Sequence, residues 1–338
     1  MSTIRAWAAH KPGQALTAFE YTPGPLPDDE VEVAVEHCGI CHSDLSVLHN
    51  DWGFSSYPLV AGHEIIGRIT ATGRNVRHLR SGQRVGIGWA SGSCMHCHSC
   101  MSGEHNLCAQ TQTTMVGRHG GFAERVRAQA AWTLPLPDSL DPASAGPLLC
   151  GGVTVFTPFL ACGVKPTDKV GVVGIGGLGH LAVKFARAWG CEVTAFTSSV
   201  SKSDEARGFG AHHVVASRDS DALAGLAGTL DFLLVTVNVP MDWNALMATL
   251  APKGRMHVVG AVLEPIPVNA FDLIGGQRSL SGSPIGSPAV MATMLDFAAR
   301  HGIAPQLERF PMSRVNEALA RLESGQARYR IVLDADFS

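Results

Sequence analysis

The glycine-rich stretch at 170–180 constrains the fold of this chain more than any other feature. Three valines lead into Gly174-Ile175-Gly176-Gly177-Leu178-Gly179, and a helical pattern then runs to Trp189. Glycines at these spacings allow a tight turn, close approach of backbone amides to a pyrophosphate, and a helix packed on the preceding strand. The helix N-terminus attracts phosphates. Followed by a second strand at 192–196, the motif predicts dinucleotide binding; a glycine-rich turn without a ligand is the alternative.

Alternating strand and helix patterns continue after this motif. Strands are predicted near 169–174, 192–197, 213–216, 231–237 and 255–260, and helices near 178–189, 201–209 and 242–250. This order is typical of a doubly wound parallel sheet, an α/β fold.

The rest of the chain has a different predicted secondary structure. Residues before about 150 read as β-rich with long loops, and a helical pattern of small residues that carries Cys150 is predicted near 143–159. The C-terminal segment predicts helices at 287–301 and 314–322 and a strand at 329–333. We expect this tail to pack on the first part of the chain. The sequence therefore predicts one domain from 1–150 and 288–338, and an inserted cofactor domain at 151–287.

Composition excludes several classes of function. Of 338 residues, 46% are hydrophobic and 16% charged, and the formal net charge of −3 indicates neither nucleic acid nor an anionic membrane as a partner. No apolar run approaches the roughly 20 residues of a membrane span, and the N-terminus lacks the apolar core of a signal peptide. We expect a cytoplasmic protein. Its nine cysteines then favour metal binding over disulfides.

Four cysteines fall in one loop without helical or strand periodicity. Cys94, Cys97, Cys100 and Cys108 can close a tetrahedral shell with no open position, which predicts a structural zinc site. An iron–sulfur cluster and disulfide pairing are the alternatives. His96 and His98 lie in the same loop and could compete as ligands.

A second set of metal-binding residue types is dispersed. Cys41, His63, Glu64 and Cys150 are too far apart for spacing to join them, and each could be an ordinary buried thiol or a hydrogen-bonded side chain. Two thiolates and one imidazole with an open fourth position would suit alcohol oxidation, because the cation lowers the pKa of the alcohol.

Several motifs together resemble the zinc-dependent medium-chain alcohol dehydrogenases over essentially the whole chain. The likeness is greatest to the cinnamyl alcohol dehydrogenases and their bacterial NADP-dependent aldehyde-reductase relatives. The motifs are Gly39-Ile40-Cys41-His42-Ser43-Asp44, Asn50-Asp51-Trp52-Gly53, Tyr57-Pro58-Leu59-Val60-Ala61-Gly62-His63-Glu64, the four-cysteine loop, Pro147-Leu148-Leu149-Cys150, Gly151-Gly152-Val153-Thr154-Val155-Phe156 and Gly174 to His180.

The resemblance implies a GroES-like catalytic domain, a Rossmann cofactor domain and roles for single residues. Cys41, His63 and Cys150 become ligands of a catalytic zinc, and Glu64 an alternative ligand. Ser43 takes the proton of the alcohol, unless it is only a turn or cap serine. Asp44 is expected to be a structural turn carboxylate. Thr154 matches a threonine that contacts the nicotinamide.

One position departs from the family pattern. Many relatives carry a histidine where this chain has Ser46, and that histidine serves the outer part of the proton relay. Water, His42, His49 or Asp51 could substitute, and the sequence selects none of them.

Cofactor choice follows from the segment after the second strand. An NAD site usually carries Asp or Glu about 20 residues past the glycines. This chain instead has Thr197, Ser198, Ser199 and Lys202, with no carboxylate before Asp204. Hydroxyls and a cation suit a 2′-phosphate, and the resembling group binds NADP at matching positions. The sequence predicts NADP(H), although Ser201 to Asp204 could also merely cap a helix.

Trp52 and Trp89 match positions that line the substrate pocket in relatives, with Phe54 a weaker candidate and plain core packing the alternative. These aromatic residues favour apolar or aromatic alcohols and aldehydes. A reduced cytosolic NADP(H) pool would favour aldehyde reduction.

By the same resemblance we expect a homodimer paired through the edge near 279–285, or a homotetramer. A reductase of activated double bonds and a non-catalytic NADP-binding sensor are the alternative functions.

Overall fold

The computed structural model describes residues 3–337, and its internal contacts divide the chain into two units. The first unit comprises Met1–Val153 and Ile285–Ser338, and the second Thr154–Pro284. None of the described helices is by itself long and apolar enough to cross a membrane; Pro142–Leu149 and Gly151–Ala161 meet the length and composition together but are bent by 53°.

The elements before the second unit are mostly strands. They are β1 (Ile4–Ala8), β2 (Thr17–Tyr21), β3 (Glu30–Ile40), α1 (His42–His49), β4 (Glu64–Thr72), β5 (Arg84–Ile87), β6 (Ala90–Gly92), α2 (His98–Met101), β7 (Gln112–Thr113), β8 (Arg125–Gln129), β9 (Thr133–Pro135), α3 (Pro142–Ala145) and α4 (Gly151–Ala161), the last of which runs into the second unit.

Strands and helices then alternate before the chain returns to the first unit. The second unit has β10 (Lys169–Val173), α5 (Gly179–Trp189), β11 (Glu192–Thr197), α6 (Ser203–Gly208), β12 (His213–Ala216), α7 (Ser220–Ala224), β13 (Leu230–Val235), α8 (Trp243–Ala248), β14 (Leu250–Val258), α9 (Ala270–Gly276) and β15 (Ser279–Gly282). The return adds α10 (Pro288–His301), β16 (Leu307–Pro311), α11 (Val315–Glu323) and β17 (Arg330–Asp334).

The main sheet of the first unit has the strand order β16-β17-β3-β4-β5-β9, and β8 pairs with β3. Alternation in β3 buries Val31, Val33 and Val35 in the core of this unit. Glu32, on the face that the alternation makes polar, is buried as well because Arg125 and Arg127 both pair with its carboxylate.

The sheet of the second unit is parallel throughout, with the order β12-β11-β10-β13-β14-β15. Strand order reverses between β10 and β13, and ligands of such sheets bind outside the carboxyl ends at that point. Gly174 ends β10 with φ +91°, and a Cβ on Gly179 would overlap the Gly174 carbonyl oxygen. Both positions therefore require glycine, as the motif predicts.

Two regions differ in detail from the sequence-based expectation. The cysteine-rich loop contains a short strand, β6, and one turn of helix, α2. The helical pattern near 143–159 is divided into α3, a 3₁₀ turn at Gly146–Leu149 and α4, and Cys150 lies at the break. The break turns the Cys150 side chain toward the donors described next.

Candidate metal and cofactor sites

Four donor side chains converge in the first unit. The ligand atoms of Cys41, His63, Glu64 and Cys150 all lie within 4.8 Å of one another, and all four residues are buried. Cys41 follows β3 and precedes α1, whereas Glu64 begins β4 and pairs with Gly39 of β3. The β3–β4 register therefore places the first cysteine beside the His63–Glu64 pair.

Asp44 orients this cluster and is more than a turn carboxylate. Its Oδ2 accepts the backbone N–H of Cys41 at 2.8 Å, and its Oδ1 accepts that of Gly62 at 2.9 Å. Oδ1 also lies 3.0 Å from Nδ1 of His63, so that ring donates from Nδ1. Nε2, 3.2 Å from the Cys150 sulfur, is then the free nitrogen. A carboxylate behind a histidine in this way is the usual support of a metal ligand.

Arg330 is a site residue that sequence reasoning missed. It begins β17, and its Nη2 donates to Oε1 of Glu64 in a buried ion pair. Within residues 3–337, Oε2 of Glu64 is buried and has no hydrogen-bond partner. The two residues are 266 positions apart, and only the antiparallel pairing of β17 with β3 brings them together. No sequence signal could have joined them.

Contacts within the cluster shift the pKa values of its cysteines and of Glu64. The Cys150 thiol donates to the Cys41 sulfur over 4.0 Å, which lowers the pKa of Cys41 well below its ordinary value and raises that of Cys150. Burial raises the pKa of Glu64, and Arg330 opposes that shift without reversing it. One proton of the thiol pair is therefore readily lost, from Cys41, and the other is retained on Cys150.

The donor set fits a zinc ion. Two sulfurs, an imidazole nitrogen and a carboxylate oxygen are the ligand types of catalytic zinc sites. A buried carboxylate oxygen without a partner is costly unless a cation or donor meets it, and Oε2 of Glu64 supplies such an atom.

Ser43 lies beside this cluster on α1. Its Oγ is 3.7 Å from the Cys41 sulfur, and the residue is half-buried. Ser46 is buried, whereas His42, His49 and Asp51 are exposed. The structure therefore brings Ser43, the predicted relay serine, to the cluster but selects no outer relay group.

A row of aromatic rings leads outward from His63. The Trp89 ring lies 5.0 Å from that of His63, the Trp52 ring 5.9 Å from Trp89, and the Phe54 ring 5.7 Å from Trp52. Phe54 is exposed and the tryptophans half-buried. These side chains form a continuous aromatic row from the cluster to an exposed ring.

The four thiols of the cysteine loop form a separate cluster. The sulfurs of Cys94, Cys97, Cys100 and Cys108 lie within 4.8 Å of one another, and all nine cysteines are free thiols. Backbone N–H groups of His96 and Cys97 lower the pKa of Cys94 to about 6. Nδ1 of His96 contacts the Cys94 carbonyl, and His98 is exposed. Four cysteine sulfurs grouped in this way fit structural zinc.

The polar turn after β11 is largely accessible. Thr197 is buried, and its Oγ1 bonds the backbone of Ser199, whereas Ser198 is exposed and Ser199 and Lys202 are half-buried. Oγ of Ser199 lies 2.7 Å from that of Ser201. Thr154, also assigned to the cofactor, is buried in α4.

A cavity of about 370 Å³ in the second unit was not predicted from the sequence. It lies beyond the carboxyl ends of β12 and β13, with Leu223, Pro240 and Met241 among its walls. Its lining comes from two separate segments, 217–223 and 240–245, neither of which carries a recognisable motif.

Fold and clusters together define a zinc-binding dehydrogenase. Residues 27–138 match the family model of the alcohol dehydrogenase GroES-like domain, and residues 177–300 that of the zinc-binding dehydrogenase. The chain is 56% identical over 330 residues to aldehyde reductase AdhA of Synechocystis sp. (strain ATCC 27184 / PCC 6803 / Kazusa), with 98% of each chain covered. It belongs to the zinc-dependent medium-chain alcohol dehydrogenases, in the group of cinnamyl alcohol dehydrogenases and aldehyde reductases.

Solved structures agree with this assignment. A cinnamyl alcohol dehydrogenase from Sorghum bicolor is 38% identical with a TM-score of 0.94, and 98% of each chain is covered. One from Helicobacter pylori, complexed with NADP(H), is 26% identical with a TM-score of 0.90 and the same coverage. The predicted family and fold class are confirmed, as is alcohol and aldehyde oxidoreduction; the roles of single residues stay predictions.

Proposed function

We propose that this protein is a zinc-dependent, NADP(H)-dependent enzyme that interconverts primary alcohols and aldehydes and favours aldehyde reduction. The observation that carries the proposal is the buried convergence of Cys41, His63 and Cys150, with Glu64 beside them. The likeness to an aldehyde reductase and to a structure complexed with NADP(H) supports the direction and the cofactor.

Residues of this chain would bind the metal and orient its ligands. When bound, zinc supplies Lewis acidity toward the carbonyl oxygen and NADPH supplies hydride. Cys41, His63 and Cys150 would hold the metal, with Asp44 fixing the His63 ring. Arg330 holds one oxygen of Glu64 and leaves Oε2 as the alternative donor.

Ser43 would handle the proton. In the reducing direction its hydroxyl donates a proton to the oxygen of the nascent alcohol and regains one from the relay. Its position 3.7 Å from the Cys41 sulfur supports this role. The aromatic row of Trp89, Trp52 and Phe54 would exclude water from the substrate and favour apolar and aromatic aldehydes.

NADPH oxidation with a panel of aldehydes, with an α,β-unsaturated ketone included, tests the function. We expect turnover of aromatic and aliphatic aldehydes and a smaller catalytic efficiency for alcohol oxidation at neutral pH. Turnover of the unsaturated ketone alone, or NADPH binding without any turnover, would contradict the proposal.

Cofactor choice is tested by Ser198→Asp. A carboxylate at this exposed position would repel the 2′-phosphate, so we expect kcat/KM with NADPH to fall about 10-fold or more, and NADH to become relatively better. Steady-state kinetics with both cofactors measure the change. Ser81→Asp, an exposed serine in the first unit, is the control. Unchanged cofactor preference in the Ser198 variant would count against the assignment.

The four-thiol loop is tested by metal content. We expect about two zinc ions per chain in the wild type, one in each cluster, and about one in Cys100→Ser, with a lower unfolding temperature. His96→Asn should keep both ions, because the His96 ring nitrogen contacts a carbonyl and not the thiols. Zinc loss in the His96 variant, or none in the Cys100 variant, would overturn the proposed ligand set. Elemental analysis of the purified wild type and variants measures the zinc content per chain.

We also propose a homodimer, with a homotetramer as the alternative, and a cytoplasmic location. β15 is the last strand of its sheet, and α9, which precedes it, exposes Phe271 and Ile274. Open edges and exposed apolar side chains are typical of surfaces that pair. Light scattering should give twice the chain mass of 35.7 kDa, or four times it for the tetramer; the mass of one chain would contradict the assembly.

A further inference from the structure

Polar residues at the rim of the cavity lie next to the turn assigned to the 2′-phosphate. The backbone N–H of Ser217 donates to the Thr197 carbonyl at 2.9 Å, and Ala216 pairs with Thr197 between β12 and β11. Arg218 therefore leaves the sheet beside the segment that continues into Ser198. Ser217 and Arg218 both line the cavity.

The shape and chemistry of the cavity suit a purine nucleoside. Leu223, Pro240 and Met241 offer apolar walls to a flat base, and about 370 Å³ is of the size needed for one. A base seated there would place its ribose at the rim, toward Thr197.

Arg218 is available to a ligand. The side chain is exposed, and among the described residues it has neither an ion-pair nor a hydrogen-bond partner. The two neighbouring carboxylates are engaged elsewhere: Asp219 accepts backbone N–H groups at the start of α7, and Asp242 accepts that of Ala245 at 2.9 Å. In the part of the chain that the structure describes, the Arg218 guanidinium group therefore has no carboxylate partner.

We propose that Arg218 is a specificity-determining residue that binds the 2′-phosphate of NADP(H) from the cavity side, opposite the serines of the Thr197–Lys202 turn. This inference rests on the proposed use of NADP(H). Guanidinium and phosphate form paired, charge-assisted hydrogen bonds, and NADH has no group to receive them. Arg218 thus adds a paired, charged contact to those that Ser198, Ser199 and Lys202 offer the 2′-phosphate.

The test compares Arg218→Gln and Arg218→Lys with Lys169→Gln, which removes a charge at the exposed amino end of β10. Dissociation constants are measured for NADPH, NADH, adenosine 2′,5′-bisphosphate and AMP. We expect Arg218→Gln to weaken the two 2′-phosphorylated ligands about 10-fold or more, and the other two less than about twofold. In steady-state kinetics the loss should appear as a higher KM for NADPH without an equal rise in the KM for NADH. Arg218→Lys should recover part of the loss, and Lys169→Gln should resemble the wild type.

The possible failures are distinguishable. Wild-type affinity for NADPH in Arg218→Gln, or equal losses for NADPH and NADH, would overturn the role of Arg218 while leaving NADP(H) use intact. Wild-type protein that binds NADH as tightly as NADPH would overturn the cofactor assignment, and this inference with it.

Discussion

Cys41→Ser should reduce kcat/KM for aldehyde reduction by at least about 10³-fold, because removing a thiolate ligand removes the Lewis acid that stabilises charge on the carbonyl oxygen. Zinc content should fall by about one ion per chain, whereas NADPH affinity should remain, since the cofactor motif lies in the other unit. Activity, elemental analysis and NADPH titration are measured on the same preparation.

Cys38→Ser is the matched control. Cys38 is also buried in the first unit, three residues before Cys41, but its thiol does not belong to the metal-type cluster. We expect this variant to keep its zinc and most of its activity. Equal loss of activity in both variants, with zinc retained in both, would mean that Cys41 serves packing and not metal binding.

Arg330→Met should destabilise the protein by about 3–5 kcal/mol, because it leaves the Glu64 carboxylate buried beside Cys41 without its cation. Replacing both partners, as in Glu64→Gln with Arg330→Met, should recover part of that loss. Urea unfolding of the zinc-loaded protein measures these differences.

The control for this variant lies in the same sheet. Arg309 on β16 pairs with Asp334 at the surface, where an ion pair contributes about 0–1 kcal/mol. Arg309→Met should therefore change the unfolding midpoint little. An effect of Arg330→Met no larger than that of Arg309→Met would show that the buried pair does not hold the β17–β3 region.

Much of the second unit could be read from its sequence. Glycine spacing and the repeated change between strand and helix periods predict the parallel sheet, because its central strands β10, β11 and β13 are apolar runs that are buried along almost their whole length. α1 was not predicted, since Asp44 to Leu48 are all buried and the helix has no clear polar face. α9 was missed as well, since it ends in two glycines and buries none of its residues.

Less of the site than of the fold could be predicted from the sequence alone. The spacing of its cysteines predicted a metal site in the four-thiol loop. Only the resemblance to a family indicated that Cys41, His63 and Cys150 bind one metal together. Asp44 was expected to shape a turn, and its contact with His63 depends on the fold of the loop before β4. Arg330 could not be found, because a lone arginine near the C-terminus carries no sign of its buried partner.

The most direct test is an anomalous difference map recorded on both sides of the zinc absorption edge from crystals of the purified protein. We expect one peak among the side chains of Cys41, His63 and Cys150 and a second among the four thiols of the cysteine loop. A map without a peak among those three residues, from protein that reduces aldehydes with NADPH, would contradict the proposed mechanism.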